Sequence, residues 1–255
     1  VAVVIGLEGV SASIAGRAVL SDLFLAVRPG EVVALCGPNG AGKSSVIRAA
    51  AGLLATTGGE VRLGGDPIRS LSEPQRASRL AYLPQERRIA WNMPAVEIAA
   101  LGLPFLPGPE ARARALEALA EVEADHLADR GVARMSGGER ARVLIARVLA
   151  TGAAALALDE PVAGLDPDAQ FLVMERLRAR AGAGQGVLIS LHDLGLAARY
   201  ADRIVVVSQG RGVADDPPRE ALSAELLAQV FGVAGSWIEG PRGPVLVAES
   251  PRRQG

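Results

Sequence analysis

The chain has 255 residues, 49% of them hydrophobic and 22% charged, with a formal net charge of −1. That length allows one large domain or two small ones around a sizeable core, and the composition excludes a disordered chain. With so even a charge balance and only 3% aromatic residues, no nucleic-acid partner is expected, since one would call for a basic face or an aromatic platform.

The opening "VAVVIGLEG" has no basic residues ahead of its short apolar run and does not read as an export signal. No apolar run reaches the ~18 residues that a membrane-spanning helix needs, so a membrane role would come through a partner. Strands are predicted over "EVVALCG" (31–37), "EVRLGG" (60–65), "RLAYLPQ" (79–85), "AAALALDEP" (153–161), "GVLISLHD" (186–193) and "DRIVVVSQG" (202–210). Most are near-continuous apolar runs closed by Gly, Pro or Asp, the pattern of strands buried on both faces. Cys36, the single cysteine, ends one such run and reads as a small buried strand residue; one cysteine excludes a disulfide framework and suits a reducing compartment.

Helices are predicted over 43–51, 109–124, 139–150, 169–179 and 194–200, the second with Leu116, Leu119 and Val122 on its apolar face. Alternation of strand and helix implies an α/β domain with a largely parallel sheet. Between Gln85 and Ser136 the strand signals stop and Pro and Gly interrupt the pattern. About 91–135 therefore reads as a helical insertion into a core of 1–90 and 136–215. The tail, 216–255, carries one helix over "SAELLAQVFG" and ends in polar "ESPRRQG", where fraying is expected.

"GPNGAGKSS", Gly37 to Ser45, fits G-x-x-x-x-G-K-[ST] with an apolar strand before it and a helix after it. Gly37, Gly40 and Gly42 let the backbone turn tightly. The N–H groups of the loop, which also holds Pro38, Asn39, Ala41 and Ser45, then converge on one concavity at a helix N-terminus, a phosphate site. Lys43 is the only lysine among 27 basic residues. A compact ammonium on a flexible stem can curl over such a loop, whereas a planar guanidinium fork does not fit. Ser44 can ligate Mg²⁺ between the outer phosphates.

"ALALDEP" ends a buried strand in Asp159 and Glu160. Ligands in open α/β sheets bind beyond the carboxyl ends of the strands, which puts Asp159 beside the phosphate loop as a candidate Mg²⁺ ligand. Glu160 is a candidate to orient or deprotonate an attacking water. "RMSGGERARVLIARVLA" places Ser136, Gly137 and Gly138 ahead of a helix beginning near Glu139, a second helix N-terminus suited to an anion.

Taken together these motifs resemble the nucleotide-binding subunits of ATP-binding cassette (ABC) transporters. "GPNGAGKSS" looks like the Walker A loop, "LPQ" supplies a Q-loop glutamine, Gln85, and "MSGGER" is similar to the signature usually written LSGGQ, with Met for Leu and Glu139 for Gln. "LALDEP" resembles Walker B, "GLDP" (164–167) the D-loop, and "SLHD" provides the switch histidine, His192. The resemblance implies an α/β P-loop NTPase fold with a helical subdomain and a small antiparallel β subdomain. It also implies ATP and Mg²⁺ as ligands, with Gln85 among the metal's contacts. The expected assembly is a head-to-tail dimer in which the signature loop of one subunit closes over ATP on the other. His192 would meet the γ-phosphate from the Lys43 side, and Asp166 would lie across the interface. The usual adenine-stacking aromatic falls here at Ile14, and Glu139 puts an acidic group in the signature. His126, on the insertion, has no such context.

The last third, "LHDLGLAARYADRIVVVSQGRGVADDPPREAL…LLAQVFGV", and "RSLSEPQRASRLAYLPQE" are similar to the ATPase subunits of bacterial importers for iron–siderophore complexes, haem and cobalamin. That implies transmembrane permease subunits, indirectly a periplasmic substrate-binding protein, and a place on the cytoplasmic face of the inner membrane. Trp91, Met93 and Val96 are candidate permease contacts, with packing inside the insertion as the other reading. An exporter ATPase and a mechanical ATPase are the alternatives to import.

Overall fold

The computed structural model describes residues 2–86, 89, 91–240 and 243–249; the polar end 250–255, where fraying is expected, lies outside the described residues. β1 (Ile5–Ile14) and β2 (Arg17–Val27) form an antiparallel pair with Ile5 opposite Val27 and Ile14 opposite Arg17. β3 (Val32–Cys36) and α1 (Lys43–Ala50) follow, then β4 (Thr56–Leu63), β5 (Asp66–Pro67), α2 (Glu73–Arg79) and β6 (Leu80–Leu83). α3 (Ala95–Ala100), α4 (Gly108–Glu121) and α5 (Gly137–Ala150) make a run without strands. The chain returns through β7 (Ala155–Asp159), α6 (Pro167–Gly182), β8 (Gly186–Ser190), α7 (Leu194–Tyr200), β9 (Arg203–Ser208) and β10 (Arg211–Asp216). It closes with α8 (Pro218–Ala221), α9 (Ala224–Leu226), a π turn over Leu227–Phe231, and the hairpin β11 (Ala234–Gly240) and β12 (Gly243–Glu249).

The six-stranded sheet runs β10-β9-β3-β8-β7-β6; neighbours from β9 to β6 are parallel, and β10 is antiparallel. Strict alternation divides its apolar runs between two cores. Val33, Leu35, Ala155, Ala157, Leu188, Val205 and Val207 face α1 and the antiparallel sheet β2-β1-β4-β5. Val32, Ala34, Cys36, Leu156, Leu158, Val187 and Ile189 face the helices. A sheet covered on both faces needs apolar residues at every position, which is why its strands read as unbroken apolar runs.

Four elements add to or depart from the sequence expectation. α4 buries Leu119, with Val122 just past its end, as expected, but Leu116 stays 38% exposed and Ala111, Ala115 and Ala118 complete the core face. α3 forms within the expected helical insertion, where Pro and Gly interrupt the pattern and no individual helix is predicted; Pro94 precedes its first turn, and Val96 and Ile98 bury against α4 and α5. β1 and β2 carry no clean period-two signal because the β1–β2 register shifts between Leu7 and Val10, and again between Val10 and Ala12. Arg180 of α6 grips Glu121 of α4 with two bonds, Nε to Oε2 at 3.1 Å and Nη2 to Oε1 at 2.5 Å, tying the helical layer to the core.

Candidate functional site

β3 sits mid-sheet and delivers the chain directly into the loop ahead of α1. Gly37 has φ 153°, and a side-chain carbon there would overlap the Val207 carbonyl. Gly42, at φ 112°, is the N-cap of α1, so the loop reaches its helix through backbone that L residues rarely adopt. Lys43 is only 6% exposed. Its Nζ donates to the carbonyl oxygens of Gly37 at 2.7 Å and Pro38 at 3.2 Å, so the ammonium is curled back over the loop. Burial lowers the Lys43 pKa, and the Glu160 carboxylate opposes that shift. Burial also pushes the Cys36 thiol up to about 12, which leaves it an inert apolar residue under the loop.

β7 and β8 end side by side, with Asp159 in register with Ser190. The Ser190 hydroxyl donates to Asp159 Oδ1 at 2.6 Å and accepts from the Glu160 N–H at 2.9 Å. Asp159 is 2% exposed, so its carboxylate is fixed from below by one hydroxyl. Glu160 takes a left-handed φ of 50°, uncommon for a residue with a side chain. That kink turns the carboxylate into the cleft, where His192 Nε2 lies 2.5 Å from Oε1. Ser190 was not singled out from the sequence; its signal is a lone hydroxyl closing the apolar run "GVLIS".

These groups line a cleft of about 1200 Å³ that includes Pro38 to Ser45, Gln85, Glu160 and His192. Asp159 lies behind this lining, and Gly37 beneath it. Ile14 is absent from the lining and 41% exposed; Arg17, Ala18 and Val19 take the wall nearest to it in sequence, together with Ser208, Gln209, Gly210, Gln229 and Val230. Ile14 thus sits at the end of β1 on the exposed surface, and residues of β2 take the neighbouring part of the cleft wall.

Ser136, Gly138, Glu139 and Asp166 line a separate cleft of about 210 Å³ with Asp168 and Arg142, and Gly137 opens α5 beside them. None of them borders the large cleft. Ser136 caps α5: its hydroxyl accepts from the Glu139 N–H at 3.2 Å, and Glu139 Oε2 accepts from the Ser136 N–H at 2.7 Å. The Ser136 N–H holds the Glu139 carboxyl below the usual range, and Arg130 pairs with it at 3.0 Å. Asp166 caps α6 by accepting from Ala169 N–H at 2.9 Å. Of the candidate permease contacts, Trp91 is 75% exposed, Met93 half-buried and Val96 buried; Val96 is a core residue.

A family model described as ABC transporter matches residues 20–163. The chain belongs to the ABC transporter family. It is 43% identical to the hemin import ATP-binding protein HmuV of Myxococcus xanthus (strain DK1622) over 90% of this chain and 91% of that one. It is 42% identical to the protein of the same name from Rhodococcus jostii (strain RHA1), over 99% of this chain and 87% of that one. The dimeric bacterial ABC transporter cassette MJ0796 superposes with a TM-score of 0.77 at 27% identity, covering 84% of this chain and 99% of that cassette. The same cassette in a post-hydrolysis state with ADP and Pi gives the same score.

This ABC ATPase therefore has an α/β P-loop core in which the nucleotide cleft and the signature end stand apart on one chain. Among the described residues no group of three or more His, Cys, Asp or Glu is placed to hold a metal, and no helix is long and apolar enough to cross a membrane. The oxygen donors beside the loop, Ser44, Gln85, Asp159 and Glu160, fit Mg²⁺, which takes one or two protein oxygens and completes its shell with phosphate and water.

Proposed function

We propose that this ATPase drives uptake of haem or a related iron chelate through a separate permease on the cytoplasmic face of the inner membrane, fed by a periplasmic binding protein. The observation that carries the reading is the haem-import name borne by relatives 42–43% identical over most of the chain. Lys43 and the loop N–H groups hold the β- and γ-phosphates, and Ser44, Gln85 and Asp159, the last directly or through water, would hold Mg²⁺. Bound Mg²⁺ supplies charge neutralisation across those phosphates. Glu160 orients the attacking water and takes its proton, while His192 fixes the carboxylate and reaches the γ-phosphate.

The separation of the two clefts supports a head-to-tail dimer. Ser136 to Gly138 of a second copy, with Asp166 beside them, would bring a further helix N-terminus to the γ-phosphate. Exposed Trp91, with half-buried Met93 close by in the chain, is the proposed permease contact. The test is reconstitution in vesicles with the permease that co-purifies from membranes. ATP-driven accumulation of haem inside is expected; efflux alone, or capture of soluble partners only, would overturn it.

A further inference from the structure

The large cleft extends well past the reacting groups. In the sheet β9 lies on the opposite side of β3 from β8, β7 and β6. Gln85, Glu160 and His192 therefore flank one side of the phosphate loop, and Ser208 to Gly210 flank the other. A nucleotide whose γ-phosphate meets Glu160 must lay its base toward the β9 side. That end is built rigidly. Gln209 and Gly210, at φ 50° and 75°, make the two-residue turn joining β9 to β10. Gly210 N–H donates to the Ala41 carbonyl at 2.8 Å, and its own carbonyl accepts from Ser21 N–H at 2.9 Å, clamping the turn between the loop and β2.

No Phe, Tyr or Trp among the described residues lines the cleft. Arg17 does, at the start of β2, and its guanidinium makes no ion pair with any described residue. Opposite in sequence, the C-terminal π turn contributes Gln229 and Val230, held by Leu227 in the core. Gln229 Nε2 donates to Glu225 Oε1 at 2.9 Å. A carboxylate only accepts, so the amide group is oriented by it, and the Gln229 carbonyl oxygen is left as the open acceptor.

We propose that Arg17 and Gln229 form the nucleobase subsite: the guanidinium plane lies over the base where an aromatic ring is missing, and the Gln229 carbonyl accepts the exocyclic amine of adenine. A flat, weakly hydrated cation stacks on a π face as an aromatic ring does. Guanine presents an oxygen where adenine presents the amine, so this acceptor favours ATP over GTP. The inference rests on ATP binding at the phosphate loop.

Titration calorimetry with MgATP, MgGTP and magnesium tripolyphosphate tests it. Arg17→Ala and Arg17→Lys should each weaken ATP and GTP about fivefold and leave tripolyphosphate unchanged, while Arg17→Trp keeps wild-type affinity. Gln229→Ala should weaken ATP about threefold and leave GTP alone. Unchanged ATP affinity in Arg17→Ala, or an equal loss for tripolyphosphate, would overturn the assignment. Full affinity in Arg17→Lys would do so too, since charge without the plane would then suffice. Wild-type protein that binds tripolyphosphate as tightly as ATP would sink the base subsite and leave the phosphate site standing.

Discussion

The nucleotide cleft and the signature end are both helix N-termini, yet they are built in opposite ways. At the cleft, α1 begins from a loop wedged into the middle of a parallel sheet, and its polar groups are held by strands on both sides. Lys43 bonds Gly37 and Pro38, and Ser190 holds Asp159 and Glu160 across two strands. At the signature end, α5 satisfies its own first turn through Ser136 and Glu139 and faces solvent across a small cleft. The first region is complete within one chain up to the γ-phosphate. The second does not border the large cleft of its own chain and, on the proposed reading, would meet nucleotide only against a second copy. On the proposed reading, the catalytic groups are held by the sheet and the exposed helix end of α5 is what a second copy would add.

The largest effect expected is on the chemical step. Glu160→Gln should cut hydrolysis roughly a thousandfold while ATP affinity stays near wild type and the ATP-bound dimer persists. Sizing with Mg-ATP and a single-turnover assay check this, and a protein that stays monomeric would break the contrast between a self-sufficient cleft and a dependent signature end. Lys43→Ala comes next. Losing a buried, charge-assisted contact to phosphate should weaken ATP binding roughly a hundredfold, read by titration, and dimerisation with ATP should vanish with it. Unaltered affinity would refute the role proposed for this lysine.

Ser190→Ala sharpens the comparison inside the cleft. The hydroxyl is buried outside the cleft lining; it positions Asp159 and the Glu160 backbone. Removing it leaves the buried Asp159 carboxylate without that donor, at a cost of about 1–3 kcal/mol. The expected outcome is a turnover number down about tenfold with KM for ATP little changed, and Ser190→Thr restoring most of it. A loss confined to KM would place Ser190 in binding instead.

Most of the cleft was legible in the sequence because its parts are local. A tight glycine loop, a buried strand ending in two carboxylates and a histidine after another strand each announce themselves within a few residues. The parallel sheet was legible for the related reason that burial on both faces leaves unbroken apolar runs. What escaped depends on distant pairing. Arg17 reaches the cleft only because β2 packs on the β9–β10 turn, and Gln229 only because the π turn folds back over it. Ile14, placed by counting along the chain, lies at the exposed end of β1 and outside the cleft lining. The hairpin Ala234–Glu249 gives no clean strand pattern, since inward Trp237 and Leu246 have the exposed apolar Ile238 and Val245 beside them in the chain.

The smallest effect tests whether the signature end really caps itself. Glu139 has its pKa lowered chiefly by the Ser136 N–H, so it favours the folded state when ionised. A lowered folded-state pKa means that this stabilisation is full above the unfolded value, near 4.3, and fades as pH falls through the folded one. Glu139→Gln keeps a capping side chain but not the charge. At pH 7 it should lower stability by about 0.5 kcal/mol, a shift of about 1–2 °C in Tm for a chain of this size, and the gap should close as pH falls below the unfolded value and through the folded one. A gap that holds constant with pH would mean that the carboxylate is not engaged at its own helix end. Glu139 would then be free to face the nucleotide of the opposing subunit, and the two helix N-termini would be less different than their hydrogen bonds imply.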